Sequence, residues 1–275
     1  HSYQILESRH DLNVIGIDQD SEALDAAESK LSEFSDRVSL VHSRFDDLSA
    51  VTKLIGEQNL SGVLFDLGVS SYQLDNPLRG FSFRNDGPLD MRMNPDSQIT
   101  AGDYVNQSTE QELASLLHNY GDERYSKRIA RSIISMRPIQ STKELANIIR
   151  DAIPERSKRS PGHPARRSFQ ALRIAVNSEI DILESSIRKA IQHLKIGGRG
   201  VVLSYHSGED KVVKRTLREL AGLNVSNSKY HPEIQQEEKI LLLARKAERA
   251  SRNEILRNPR ASSALLRKFE KVSEG

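Results

Sequence analysis

The sequence predicts an α/β protein with a mostly parallel sheet, interrupted by a helical insertion. Two observations carry this. Short apolar runs at residues 13–18, 38–42 and 62–67 are separated by amphipathic stretches, and strands this apolar between helices belong to a parallel sheet covered on both faces. After Gly68 the alternation stops, giving way to a turn-rich segment and then to helical spacing alone, until a strand signal returns at Gly200.

Each element follows from local chemistry. Tyr3 to Arg9 is helical. Asn13-Val14-Ile15-Gly16-Ile17-Asp18 reads as a buried strand ending in an acid, and Ser21 as the N-cap of a helix reaching about Phe34. Val38 to His42 is the second strand, followed by Phe45-Asp46-Asp47-Leu48 and a helical stretch to about Gln58. Gly62 to Leu67 is the third. Residues 70–100 contain Asn76-Pro77, Asp86-Gly87-Pro88 and Asn94-Pro95, which are turn signals. Phe81, Phe83, Met91 and Met93 among the charges there argue for an ordered loop.

Thr109-Glu110-Gln111-Glu112 opens like a capping box. Arg124 to Met136 and Thr142 to Ala152 continue with helical spacing, and residues 154–164 form a basic, Pro-containing loop. One long helix is expected from Arg166 to about Leu194, stopped by Gly197-Gly198. Gly200 to Ser204 is the next strand, Glu209 to Ala221 a helix and Lys239 to Leu243 the last strand.

Composition narrows the class. With 275 residues, 37% of them apolar and 28% charged, the chain can build a substantial core and reads as soluble and globular. No apolar run approaches the roughly 20 residues of a membrane-spanning helix, so no membrane association is expected. Cysteine is absent, which excludes disulfides and thiolate metal sites and suits a reducing compartment. No His or carboxylate spacing demands a metal. No signal-peptide pattern is read, and a cytoplasmic location is expected. The sequence begins at His1 rather than Met, and part of the protein is expected upstream.

The net charge of +2 hides an uneven distribution. Residues 1–122 carry 8 Lys+Arg against 21 Asp+Glu, residues 124–173 carry 13 against 3, and residues 239–275 carry 10 against 4. A single charge run is as readily a solvated face as a binding surface. Two basic segments on one chain point toward a polyanionic partner, whose phosphates release counterions to Lys and Arg.

In an open parallel sheet, ligands bind beyond the carboxyl ends of the strands. Here strands end in Asp18, Asp66 and Ser204. An acid after the second strand of a nucleotide-binding half-sheet accepts hydrogen bonds from ribose hydroxyls. Asp18 takes that role if residues 13–17 are the second strand; the alternative is a helix-opening Asp. The glycine-rich loop that should precede it is not in the chain, so His1-Ser2 would be its tail, with the first strand upstream.

Several blocks resemble one family. Asp66-Leu67-Gly68-Val69-Ser70-Ser71, Gln73-Leu74-Asp75, Arg79-Gly80-Phe81-Ser82-Phe83, Asp86-Gly87-Pro88-Leu89-Asp90-Met91-Arg92-Met93, Tyr120-Gly121-Asp122-Glu123-Arg124, Phe169-Gln170-Ala171-Leu172-Arg173-Ile174, Asn177-Ser178-Glu179 and Asn258-Pro259-Arg260-Ala261 are similar to the bacterial ribosomal RNA small-subunit methyltransferase H family, also called MraW. The resemblance runs from His1 to about Arg267. It implies a Rossmann-like methyltransferase that uses S-adenosylmethionine to methylate N4 of a cytidine in the decoding region of 16S ribosomal RNA, in the small ribosomal subunit. It divides the chain into an S-adenosylmethionine-binding domain, residues 1–100 and 166–275, and a helical, basic insertion for the RNA, residues 101–165. The family's Gly-Gly-His cofactor loop is represented only by His1, and Gly208 stands where the family usually has Leu.

By this resemblance the cofactor contacts are His1, Asp18, Phe45, Asp66 and Gln73. Asp18 would take the ribose hydroxyls and Phe45 would pack on the adenine, unless it is simply a core aromatic. Asp66 is the catalytic candidate, accepting N–H hydrogens of the target amine, or alternatively binding the cofactor amine alone. The target base must leave its stack, and Phe81, Phe83, Tyr72, Tyr205 and His206 are candidates to receive it or to be structural. His163, Arg166, Arg167 and Arg173 are candidates for phosphates, with Arg84, Arg92, Lys214, Arg260 and Arg267 behind them. The basic insertion is expected to hold RNA over the acidic half. Two other classes stay open: a catalytically silent RNA-binding module, and a nicotinamide-dependent dehydrogenase, which Asp18 alone would also suit.

Overall fold

Strands flanked by helices organise one part of the protein and capped helices alone the other in a computed structural model, which describes residues 1–56, 60–158, 162–223 and 238–274. The chain divides into two compact units, residues 1–68 with 180–275, and residues 69–179.

The first unit opens with α1 (Ser2–Ser8), β1 (Val14–Asp18), α2 (Ser21–Lys30), β2 (Val38–His42), α3 (Ser49–Ile55) and β3 (Leu60–Asp66). β1 and β2 pair in parallel, Val14 opposite Val38 and Asp18 opposite His42. Asp20, not Ser21, caps α2, its side chain accepting from the Glu22 amide; a carboxylate there also meets the positive end of the helix. The predicted extension to Phe34 is a separate 3-10 turn, Ser32–Phe34. α3 closes at Gly56, and Gln58, the predicted helix end, lies outside the described residues.

The C-terminal part of this unit adds α11 (Leu183–His193), β4 (Leu194–Ser204), α12 (Ser207–Leu220), β5 (Ile240–Leu242), β6 (Glu248–Arg249), α13 (Arg252–Arg257) and β7 (Leu265–Lys271). β3 pairs with β4 in parallel, Asp66 opposite Leu203. The sheet order is β3-β4-β7-β5, with β6 on β7. All pairings of β7 are antiparallel. The α/β architecture with its parallel pairs is therefore as predicted, but the predicted last strand is not the last. β7 follows it and inserts between β4 and β5. Its Leu265-Leu266-Arg267-Lys268-Phe269-Glu270-Lys271 reads as a charged tail because its cations are used internally: Arg267 forms a two-point pair with Asp210, and Lys271 is only 3% exposed, donating to the carbonyls of Gln192 and Leu194. Between these, Phe269 is fully buried directly across from Gly200. A Cβ at Gly200 would lie 2.1 Å from the Phe269 ring, so the small residue makes the space the ring fills. Burying such a side chain contributes roughly 1.5–3 kcal/mol.

The second unit contains α4 (Ser71–Asp75), α5 (Ala101–Gln107), α6 (Glu110–Gly121), α7 (Ser126–Ser135), α8 (Thr142–Ala152), α9 (Glu155–Lys158) and α10 (Arg166–Asn177). Capping boxes open α4 (Ser70 with Gln73), α5 (Thr100 with Asp103) and α6 (Thr109 with Glu112). α6 packs on α7 and α10. At the α6–α10 crossing a Cβ on Gly121 would lie 2.6 Å from the Arg167 carbonyl, a separation only glycine permits.

Two boundaries differ from the sequence reading. The expected long helix is broken at Ser178, which takes a left-handed conformation (φ 52) while the Glu179 amide bonds back to the Ile174 carbonyl. That is a helix stop made by the backbone, with no glycine to announce it. The helical unit spans residues 69–179 rather than 101–165, because the ordered loop buries Phe81, Leu89, Met91 and Met93 among the helices. The predicted loop at 154–164 contains α9, and its residues 159–161 lie outside the described residues. Among the described residues no helix is long and apolar enough to cross a membrane.

Candidate active site at the strand ends

Parallel pairing sets the carboxyl ends of β1 and β2, and of β3 and β4, side by side, and the polar residues that close these strands lie there. Asp66 closes β3 with its side chain 44% exposed. Its Oδ1 accepts a hydrogen bond of 2.8 Å from the Tyr205 hydroxyl, which the chain reaches immediately after β4. Its Oδ2 lies 3.3 Å from Nδ1 of His1. Burial, and then the neighbouring Asp66 carboxylate, push the Tyr205 phenol far above its usual range, so it remains a donor.

His1 is carried by α1, whose C-terminal end is anchored by Arg37. That guanidinium donates to the carbonyls of Leu6, Arg9 and Leu12 at 3.1, 2.9 and 3.3 Å. Asp18 closes β1 exposed to solvent, its Oδ1 accepting from the Asp20 amide at 2.9 Å. Protein surrounding the carboxyl raises its pKa, and amide hydrogen bonds offset this only in part. A further hydroxyl donor would favour the charged form. Phe45, three residues beyond β2, is half-buried and meets Phe65 edge-on, ring centroids 6.2 Å apart at 86°. It packs on the core and still presents aromatic surface.

These strand-end groups form an exposed acceptor, a carboxylate suited to a diol and an aromatic surface within one unit. A model of the MraW methylase family matches residues 1–272. The chain belongs to the MraW methylase family. It is 44% identical to "Ribosomal RNA small subunit methyltransferase H" of Mycobacterium sp. (strain KMS), over 99% of this chain and 74% of that protein. It is 43% identical to the protein of the same name from Thermobifida fusca (strain YX), over 100% of this chain and 84% of the relative. A solved structure described as a putative rRNA-methylase from Clostridium thermocellum aligns over 96% of this chain and 74% of its own, at 12% identity and a TM-score of 0.39. Membership in a methylase family removes the dehydrogenase reading.

In this MraW methylase several residues singled out for cofactor or substrate have partners within the protein. Gln73 is buried at 5% exposure and its carboxamide oxygen accepts from the Ser70 amide, completing the cap of α4. Phe81 is a core side chain, 6% exposed, with the Arg79 guanidinium 5.8 Å from its ring centre. Arg92 is bound to both Asp90 oxygens and to the carbonyls of Pro95 and Ser97, so it shapes its own loop. Arg173 is paired with Glu179. His206 caps α12: its Nδ1 accepts from the Glu209 amide, while the buried Glu209 carboxylate reaches back to the Tyr205 amide. Burial and internal partners give these side chains, Gln73 expected at the cofactor and the others at base or phosphate, a place in the scaffold.

Of the remaining candidates, Arg84, His163, Arg166 and Arg167 lie on the surface of the helical unit. Arg84 and Arg166 are exposed with no side-chain partner among the described residues, and exposed Arg167 donates to the Asp122 carbonyl at 3.2 Å. His163 is exposed and stacks on Phe83 (4.4 Å, 21°), which in turn meets Phe169 edge-on at 5.3 Å. Phe83 is thus enclosed within a ladder of rings whose exposed member is His163.

The sequence reading missed two features. Tyr205, read as a candidate to receive the base or to be structural, donates its hydroxyl to Asp66. Asn177 bridges Met91 and Met93 in the loop: its amide donates to the Met91 carbonyl and its oxygen accepts from the Met93 amide. The short Ser-Tyr-His-Ser block after a strand was the only signal for the first.

Proposed function

We propose that the chain is an S-adenosylmethionine-dependent methyltransferase that modifies the N4 amine of a cytidine in the decoding region of 16S ribosomal RNA, in the cytoplasm and within the small ribosomal subunit. The observation that carries the reading is the Asp66 carboxylate. It is solvent-accessible at a strand end, with one oxygen fixed by Tyr205 and the other within reach of a nitrogen. Membership in a methylase family and relatives named for the small-subunit RNA support it.

The residues present fit the methyl donor. Asp18 has the position and exposure to accept ribose hydroxyls, and Phe45 the half-buried ring to carry an adenine. The bound cofactor would supply an electrophilic methyl on a sulfonium, whose C–S bond breaks with its electron pair moving to sulfur as the N4–CH3 bond forms. Cytosine N4 is a poor nucleophile because its lone pair is delocalised into the ring. Asp66 therefore holds the amine by accepting an N–H hydrogen, aligns it, and stabilises positive charge as it develops on nitrogen. One N–H proton then leaves to solvent by way of that carboxylate.

Exposed Arg84, Arg166 and Arg167 of the helical unit hold RNA phosphates, and the outer ring of His163 offers a stacking face. The test is to incubate the full chain with labelled S-adenosylmethionine and small ribosomal subunits, with free 16S RNA in a second arm, and digest the RNA to nucleosides. Label in N4-methylcytidine is expected. No labelled nucleoside in either arm would sink the reading and leave a silent RNA binder.

A further inference from the structure

We infer that Tyr205 is a positioning residue for methyl transfer: its hydroxyl holds Asp66 by Oδ1 and so presents Oδ2 to the reacting amine. This rests on the proposed methyl transfer and names what sets the geometry of its acceptor.

An exposed aspartate is a loose acceptor. Its backbone is fixed when it lies on a strand, but the carboxylate still turns about its last bond and exchanges partners with water. Asp66 is such a group, 44% exposed at the end of β3. The 2.8 Å bond from Tyr205 supplies the missing constraint. Asp66 closes β3 opposite Leu203 of β4, and Tyr205 is the first residue after β4 ends at Ser204. Their separation is therefore set by the sheet rather than by a loop.

The backbone of Tyr205 is itself anchored. Its amide donates to Glu209 at 2.7 Å, and Glu209 is 2% exposed. Ser204, just before it, is 1% exposed. The phenol is also a constant donor, since its surroundings favour the protonated form. With Oδ1 held by Tyr205, Oδ2 is the oxygen for an incoming N–H, which would take the place of the His1 nitrogen beside it. The nitrogen of His1 at 3.3 Å shows that a nitrogen reaches that side of the carboxylate. A tyrosine here acts through Asp66 and touches neither the methyl nor the amine.

The decisive experiment measures single-turnover transfer to small ribosomal subunits at saturating S-adenosylmethionine, together with S-adenosylmethionine binding by calorimetry, for Tyr205→Phe, Asp66→Asn and the double variant. Tyr205→Phe keeps the ring and removes only the hydroxyl. We expect its transfer rate to fall about tenfold, the size of one hydrogen bond to a charged group, with cofactor affinity changed less than about twofold. In the Asp66→Asn background the same change should cost little more, because the bond's partner is already altered. An unchanged rate in Tyr205→Phe, a loss confined to cofactor affinity, or full additivity in the double variant would overturn the inference while methylation by the unsubstituted chain stood. No transfer by the unsubstituted chain would instead remove both this inference and the reading beneath it.

Discussion

Arg173 and Glu179 meet through two parallel hydrogen bonds, Nε to Oε1 at 2.8 Å and Nη2 to Oε2 at 2.9 Å, with the side chains 14% and 7% exposed. The pair sits where α10 ends and the chain turns at Ser178. Removing one partner would take the two-point contact from the other charge at a buried position. Arg173→Ala is expected to cost about 3–5 kcal/mol of stability, read from urea unfolding. Arg173→Lys should recover only part of this, because an ammonium cannot reproduce the planar two-point contact. Because the guanidinium is committed inside the protein, a folded Arg173→Lys variant should bind RNA with the same salt dependence as the parent.

Asn177 supports the loop that carries Met91. Its side chain makes bonds of 2.8 Å to the Met91 carbonyl, 2.7 Å from the Met93 amide and 2.9 Å to the Arg173 carbonyl, while Met91 takes a left-handed backbone (φ 61). A non-glycine residue in that conformation needs surrounding contacts to hold it. Asn177→Ala would strip buried backbone groups of partners and is expected to cost about 2–3 kcal/mol. Asn177→Asp should be no better, since it removes the donor and adds a charge at a site 8% exposed. Urea midpoints of the two variants, and the rate of proteolytic cleavage within residues 85–95, check this.

The contrast between Asn177 and Asp18 shows what the sequence makes legible. Asp18 could be read because a strand and its terminal acid are local: period, burial and position all lie within six residues. The same holds for β2 and α8, whose bounds match the reading. Asn177 acts on Met91 and Met93 over more than eighty residues, so no local period encodes it. β7 was hidden for a related reason. Its cations look solvated until Asp210 and the carbonyls at the end of α11 are brought to them. Gly80 lies between: its left-handed turn (φ 69) is local, but its need for no Cβ comes from the Pro88 carbonyl, which a Cβ would approach to 2.2 Å. In the candidate site, residue types were legible, whereas the partners that decide between contact and scaffold were not.

His163 should leave a signature in the pH dependence of stability. Loss of water around the ring stacked on Phe83, and then the nearby Arg150 charge, lower its pKa from the ordinary 6.5. The Ala165 amide also donates to Nδ1, which requires that nitrogen to be unprotonated. As pH falls through 6.5 the unfolded chain binds the proton before the folded one does, so this contribution is full above 6.5 and is lost as the pH drops toward the folded value. The urea-derived stability of the parent is expected to fall more steeply between about pH 7 and pH 5 than that of His163→Phe. Equal slopes would show that the folded ring titrates normally.

The phosphate contacts proposed for the helical unit can be tested separately from stacking by His163. Arg84 and Arg166 are exposed and lack side-chain partners among the described residues, so their guanidiniums are available to phosphates without breaking an internal bond. His163 offers a neutral ring three residues before Arg166. Replacing Arg84 and Arg166 by Glu should weaken RNA binding and flatten its salt dependence, by about 0.7 in the log–log slope for each single-strand phosphate that is no longer neutralised. His163→Ala should weaken binding with the slope nearly unchanged, and His163→Phe should restore it, because any aromatic face serves for stacking. Filter binding of small-subunit RNA across a salt series reads both effects. If the double Glu variant leaves the slope unaltered, phosphates are held elsewhere; if Ala and Phe at 163 behave alike, the ring does not stack on a base.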